Sequence, residues 1–299
     1  MKYHESVLLK QSVDGLDIKS NGVYVDVTFG GGGHSKLILQ ELKGGKLYAF
    51  DQDSDAISNK IEDERFILIP ENFRYIKKFL RLNGITQVDG ILADLGVSSH
   101  QFDEAKRGFS IRYDGELDMR MNQKQSHSAY DIINKYELDS LCKIFKLYGE
   151  LSNAYALSRA IIDFRTTQEI KTTEDLKQAV KFHTPPHKSN KILAQIFQAI
   201  RIEVNDELVA LKEMLIQAVE LLKPTGRLSV ISYHSLEDRL VKHLIRSGNF
   251  KGELIKDIYG VADTPLKAIN RKPIVPTPEE VASNSRARSA KLRISEKLL

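Results

Sequence analysis

The stretch Asp26-Val27-Thr28-Phe29-Gly30-Gly31-Gly32-Gly33-His34-Ser35 constrains this chain more than any other. Its first residues close the run 23–28, which has the length and β-branched content of a buried strand. It opens an apolar-spaced helix over about 35–42. Strand, glycine turn and helix together form the first step of a parallel α/β sheet, and the sequence repeats that step. Lys46–Phe50 is predicted as a second strand, followed at once by Asp51. Phe66–Ile69 is a third, and 89–93 a fourth, followed by Asp94. Short strands alternating with helices require right-handed crossovers between parallel neighbours.

Glycines let a backbone approach a ligand closely, and a helix N-terminus offers unpaired N–H groups. Asp51 stands 19 residues after Gly32. Nucleotide-binding α/β folds place an acid there to accept hydrogen bonds from ribose hydroxyls. No Gly-Lys-Ser/Thr closes the run, which argues against a P-loop. NAD, FAD and S-adenosylmethionine all suit such a turn, and the glycines alone do not choose among them.

The pattern changes after about 103. No strand is evident for a hundred residues. Leu138, Leu141, Cys142 and Phe145 keep helical spacing, as do Ile192, Ile196 and Ile200. Thr172 reads as an N-cap with acids in the first turn after it. A second helical stripe, Leu208 to Leu222, is broken by Pro224-Thr225-Gly226. Strands are then expected at 228–232, 268–275 and 291–295, with a helix at about 236–246. Thr277-Pro278-Glu279-Glu280 has capping-box spacing. The expected organisation is a discontinuous α/β domain, 1–103 plus 206–299, with a helical insert at 104–205.

Composition narrows the function classes. Cys142 is the only cysteine, which excludes an intrachain disulfide and a cysteine-built zinc site. His183 and His187 have metal-like spacing, but Pro185 and Pro186 between them oppose a helical ligand pair, so no metal is expected. No apolar run reaches membrane-spanning length and no signal-type segment opens the chain, so a cytoplasmic protein with no membrane partner is expected. No Gly-x-Ser-x-Gly elbow is present. The net charge of +4 is unevenly spread. The segment from Gly260 onward has eight Lys+Arg against four Asp+Glu, and 104–205 has sixteen against thirteen. The rest is net negative, and the basic parts suit an anionic partner.

Two further segments reach the same sheet edge. Asp94, in Asp94-Leu95-Gly96-Val97, ends the fourth strand, and the small residues after it leave room for a flat group. Ser232-Tyr233-His234-Ser235-Leu236-Glu237 leaves the strand that follows the insert.

These features in this order resemble the bacterial 16S ribosomal RNA cytosine N4-methyltransferase family, known as RsmH or MraW. His4-Glu5-Ser6-Val7-Leu8, Arg107-Gly108-Phe109-Ser110, Leu117-Asp118-Met119-Arg120-Met121, Phe197 to Leu208 and Asn284 to Arg293 also fit. The resemblance spans nearly the whole chain. It implies a class I, Rossmann-like sheet interrupted by a helical domain that recognises RNA, with S-adenosylmethionine as cofactor. It further implies a cytidine of the 16S rRNA decoding centre, in the P-site region of the small ribosomal subunit, as substrate, and a possible homodimer. Carried over by position, the cofactor contacts are Gly32, Gly33, His34, Asp51, Phe73, Asp94 and Gln101. Asp94 and His234 are the expected catalytic residues. Tyr233, Arg112, Arg120, Arg201, Arg286 and Arg288 are the expected substrate contacts. The chain departs from wider patterns at His100, where the family usually has proline, and at Thr28, where class I methyltransferases tend to have glycine. Two alternatives stand beside this reading: an NAD-dependent dehydrogenase, and a ribosome-assembly factor that binds without catalysis.

Overall fold

The computed structural model describes residues 6–256 and 264–298, so His4 and Glu5 of the N-terminal motif lie outside the described residues. The strands are β1 (Val23–Asp26), β2 (Lys46–Phe50), β3 (Phe66–Ile69), β4 (Val88–Asp94), β5 (Leu222–Ser232), β6 (Leu266–Ala268) and β7 (Lys291–Lys297). They form one sheet in the order β3-β2-β1-β4-β5-β7-β6. β1 to β5 run parallel, and β7 is antiparallel to both of its neighbours. The parallel strands are those that the alternation implied, and the whole is the Rossmann-like α/β sheet that the resemblance implied. Its strand order reverses between β1 and β4, and open α/β sheets bind ligands outside the carboxyl ends of such strands.

The helices are α1 (Leu9–Asp14), α2 (Gly33–Glu41), α3 (Ser54–Ile57), α4 (Ile76–Leu82), α5 (Ser99–Asp103), α6 (Ala129–Lys135), α7 (Leu138–Leu147), α8 (Ala154–Arg165), α9 (Thr173–Val180), α10 (Ser189–Asn205), α11 (Glu207–Leu221), α12 (Ser235–Ser247) and α13 (Pro278–Ser283). The chain divides into two compact units. One comprises Met1–Gly96 with Leu208–Leu299, and the other Val97–Glu207. Residues 97–103 therefore group with the helical unit, ahead of the boundary expected at 103/104.

In the sheet unit the period-two alternation of each strand feeds two core layers. Val25, Tyr48, Phe50, Ile91 and Ala93 point to the face covered by Leu211, Met214 and Leu215 of α11 and Val241 and Leu244 of α12. Tyr24, Leu47, Ala49 and Leu92 point to the other face, covered by Val13 of α1 and Ile38 and Leu39 of α2. Pro224-Thr225-Gly226 is not the end of a stripe before a separate strand but an irregularity inside β5. Thr225 takes φ 66°, and the register with β4 shifts between Val88 and Gly90. The strand expected at 268–275 is shorter, reduced to β6 and an isolated bridge from Ile274 to Leu292.

The second unit has a helical core of its own, built on residues such as Ile132, Phe145, Leu157, Ile161 and Ile196. Thr172 caps α9: its hydroxyl accepts from Asp175 N–H at 3.1 Å, and Asp175 Oδ2 accepts from Thr172 N–H at 2.9 Å. Asn205, at the end of α10, accepts from Met121 N–H and donates to the Met119 carbonyl, both at 2.7 Å. It thereby locks the 117–121 segment, where Met119 holds φ 56°. Among the described residues no helix is long and apolar enough to cross a membrane.

Candidate active site

The glycine turn lies between β1 and α2. Gly30 and Gly32 take φ +51° and +77°, a region where a side chain is strained. A Cβ on Gly30 would meet nothing within 4 Å, so the space above the turn is open. A Cβ on Gly33 would collide with Ser6 Oγ, so the N-terminal segment packs directly on the turn. Asp26, fully buried below it, accepts from Ser35 Oγ–H at 2.7 Å and Thr28 N–H at 3.1 Å. Asp51 accepts from Gly30 N–H at 2.8 Å through Oδ2 and from Asp53 N–H at 2.9 Å through Oδ1. It therefore fixes the turn, and each oxygen keeps a second lone pair for an incoming hydroxyl. Burial pushes both carboxyls up to about 6.

Asp94 sits at the carboxyl end of β4. Its N–H donates to Thr28 Oγ1 at 2.6 Å, a bond that a glycine at position 28 could not make. Its Oδ1 accepts from the Tyr233 hydroxyl at 2.8 Å, and its Oδ2 lies 3.9 Å from His34 Nδ1. The Asp94 side chain is 22% exposed, so it opens to a ligand. Burial raises it to about 6 against the opposing pull of His34 and the Tyr233 hydroxyl. Burial and the Asp94 charge hold the Tyr233 hydroxyl well above its usual range, so it remains a donor at neutral pH.

His34 is buried, and burial lowers its pKa. Its Nε2 lies 3.3 Å from the Val7 carbonyl oxygen. A carbonyl can only accept, so this contact puts the ring proton on Nε2 and leaves Nδ1 as an acceptor. His34 Nδ1 and Asp94 Oδ2 thus form an edge of two acceptors, which suits an ammonium or amine donor.

The remaining expected residues have more local partners. Phe73 opens a short 3₁₀ turn after β3 and packs half-buried on the sheet core, while Asn72 caps that turn and donates to Gln52 Oε1 at 2.8 Å. His234 is the N-cap of α12. Its Nδ1 accepts from Glu237 N–H at 3.4 Å and its Nε2 lies 3.2 Å from Glu237 Oε1. The ring, expected to serve the reaction, caps its own helix through Nδ1, and its buried Nε2 has no hydrogen-bond partner among the described residues. In the helical unit, Gln101 is buried and its Oε1 accepts from Ser98 N–H at 3.0 Å in the capping box of α5. Arg120, expected to contact RNA, forms a two-pronged pair with Asp118 at 2.9 and 2.6 Å and donates to the Gln125 carbonyl at 2.7 Å. Arg201 pairs with Glu207 at 2.8 and 3.0 Å, and both side chains are largely buried. Those two guanidinium groups brace the unit from within. Arg112 and Arg288 are exposed, and Arg286 is half-exposed beside it.

Three contributors escaped sequence reasoning. Thr28 was visible only as a departure from glycine. The Val7 carbonyl was hidden inside a motif whose side chains gave no reason for its backbone role. Glu280 looked like a capping-box partner, but only Thr277 caps α13, and the Glu280 carboxylate accepts from Leu8 N–H instead.

Comparison with known proteins identifies the family. Residues 1–298 match the model of the MraW methylase family. A Christiangramia forsetii protein described as ribosomal RNA small subunit methyltransferase H is 61% identical over 299 residues, covering 100% of this chain and 99% of the relative. A Flavobacterium johnsoniae protein of the same description is also 61% identical with the same coverage. One from Cytophaga hutchinsonii is 55% identical over 297 residues, 99% of each chain. The dehydrogenase alternative falls, because the glycine turn and Asp51 that suggested it are part of a methylase sequence matched from end to end. A chain matched over this length, with that turn and Asp94 on one sheet edge, belongs to the MraW methylase family.

Proposed function

We propose that this methyltransferase transfers a methyl group to the exocyclic N4 of a cytidine in the decoding centre of 16S rRNA, in the cytoplasm. Its cofactor is S-adenosylmethionine, which supplies an activated methyl on a sulfonium. The residues fit that cofactor in three respects. The space above Gly30 is open. Asp51 keeps acceptor capacity for ribose hydroxyls. The His34–Asp94 edge offers acceptors to an ammonium. The names of the relatives, small-subunit rRNA methyltransferases, support the RNA substrate.

The observation that carries the reading is Asp94, an acceptor on the sheet edge held by Thr28 and Tyr233. Cytosine N4 is a poor nucleophile because its lone pair is delocalised into the ring. Positioning can supply much of the missing reactivity. A carboxylate that accepts an N4 hydrogen favours attack by the lone pair, and Asp94 is ionised at neutral pH and can take the proton released after transfer. Tyr233 orients it. The base must leave its stack to arrive there. The helical unit, with Arg112, and the basic turn holding Arg286 and Arg288 are the RNA-recognising parts in this reading. Arg120, Arg201 and His234 support it by bracing their elements.

The test is incubation with small ribosomal subunits and methyl-labelled cofactor, followed by nucleoside analysis. Labelled N4-methylcytidine is expected, and Asp94→Ala should nearly abolish it. Binding to the subunit with no label transferred would support the assembly-factor alternative. Solution mass tests the homodimer implied by the family resemblance.

A further inference from the structure

The N-terminal segment joins two parts of the sheet unit that are far apart in sequence. Leu8 N–H donates to Glu280 Oε1 at 2.7 Å. The Val7 carbonyl oxygen lies 3.3 Å from His34 Nε2. These are the two ends of a single peptide group. Because that group is planar and trans, its N–H and C=O point in opposite directions. A carboxylate on one side and an imidazole on the other therefore hold the same rigid plate. Leu8 is fully buried and carries φ 49° at the start of α1, an uncommon conformation for a leucine that persists only where its surroundings impose it. Val7 and Leu8 are buried with Ile231, Leu292 and Ile294, and Ser6 abuts Gly33.

We propose that Glu280 is a positioning residue for the cofactor pocket: through the Val7–Leu8 peptide group it fixes the His34 ring, and with it the acceptor that His34 turns toward Asp94. An anionic acceptor on the N–H polarises the peptide and strengthens its carbonyl as an acceptor. The stronger carbonyl holds the His34 proton on Nε2 and keeps Nδ1 unprotonated. Thr277 sets Glu280 in place by capping α13, its hydroxyl accepting from Glu280 N–H at 3.2 Å. The chain of contacts runs Glu280, peptide 7–8, His34, Asp94, Tyr233. It rests on the reading that His34 and Asp94 line the cofactor pocket.

The test uses full-length protein, ¹⁵N-labelled at histidine, and calorimetric binding of S-adenosylhomocysteine. The wild type should show His34 as a single Nε2–H tautomer. Glu280→Ala should give mixed tautomers and weaken binding about tenfold, the scale seen for outer-shell partners of ligating histidines. Glu280→Gln keeps an acceptor oxygen and should restore most of both. Glu280→Lys places a donor where an acceptor is needed and should match the alanine variant. A wild-type tautomer and affinity in the alanine or lysine variant would overturn the proposal, as would a glutamine variant as impaired as alanine. Neither readout involves methyl transfer, so failure here is separate from failure of the cytidine assignment.

Discussion

Asp26 is fully buried and Asp51 and Asp94 partly so, and desolvation is the main cause that raises each to about 6. A carboxyl with a folded-state pKa above its unfolded value binds its proton more tightly when folded. Its contribution to stability is fully present below about pH 4 and is lost as pH rises through about 6. The unliganded protein should therefore lose stability across that window, as followed by thermal unfolding. Asp94→Asn should be more stable than the wild type near pH 7.5, with the difference shrinking toward pH 4, while turnover is lost. Cofactor affinity should move the other way and rise with pH through about 6, because the ionised acids are the ones that accept from the ligand. Tyr233→Phe removes one hydrogen bond to the Asp94 carboxylate. A bond to a charged group contributes about 1.5–3 kcal/mol, so turnover should fall roughly 10- to 100-fold with KM little changed. Asp94, Asp51 and His34 were legible in the sequence because each stands beside a strand end or the glycine turn. Their partners were not. Thr28 Oγ1 reaching Asp94 N–H spans 66 residues and Tyr233 reaching Asp94 spans 139, and no local pattern encodes such contacts.

At the scale of elements, periodicity located most of the sheet. Lys46–Phe50 and Phe66–Ile69 were placed to the residue, because buried parallel strands read as continuous apolar runs bounded by polar residues. β5 was misjudged because proline and glycine signal a break, and only the neighbouring strand shows that this break is accommodated as an irregularity. Caps were legible when their partner is local. Thr172→Ala should lower stability by about 1 kcal/mol in chemical denaturation, because it removes the acceptor for Asp175 N–H. His234 provides a sharper discrimination. Asparagine caps a helix well, so His234→Asn should keep the fold and most of the turnover if capping α12 is the residue's work. Near-complete loss of turnover in a folded His234→Asn protein would return the ring to the chemistry.

For the whole molecule, charge bias pointed to the basic insert and tail, but it counted arginines without seeing their partners. Arg120 and Arg201 are held by Asp118 and Glu207. RNA binding measured against salt should separate the two classes. Arg286→Ala with Arg288→Ala should lower the log–log slope by up to about 1.4, taking about 0.7 per phosphate contact on a single strand. Arg120→Ala should leave the slope unchanged and lower thermal stability.

Among the described residues, the strand that comes latest in sequence does not lie at the edge of the sheet. β7 lies between β5 and β6, so the C-terminal residues fill an interior position. During synthesis domains tend to fold from the N-terminus onward, yet this sheet is incomplete until Lys291–Lys297 has emerged. A variant that lacks Lys291–Lys297 loses the strand that joins β6 to the rest, and it should be insoluble rather than merely shortened.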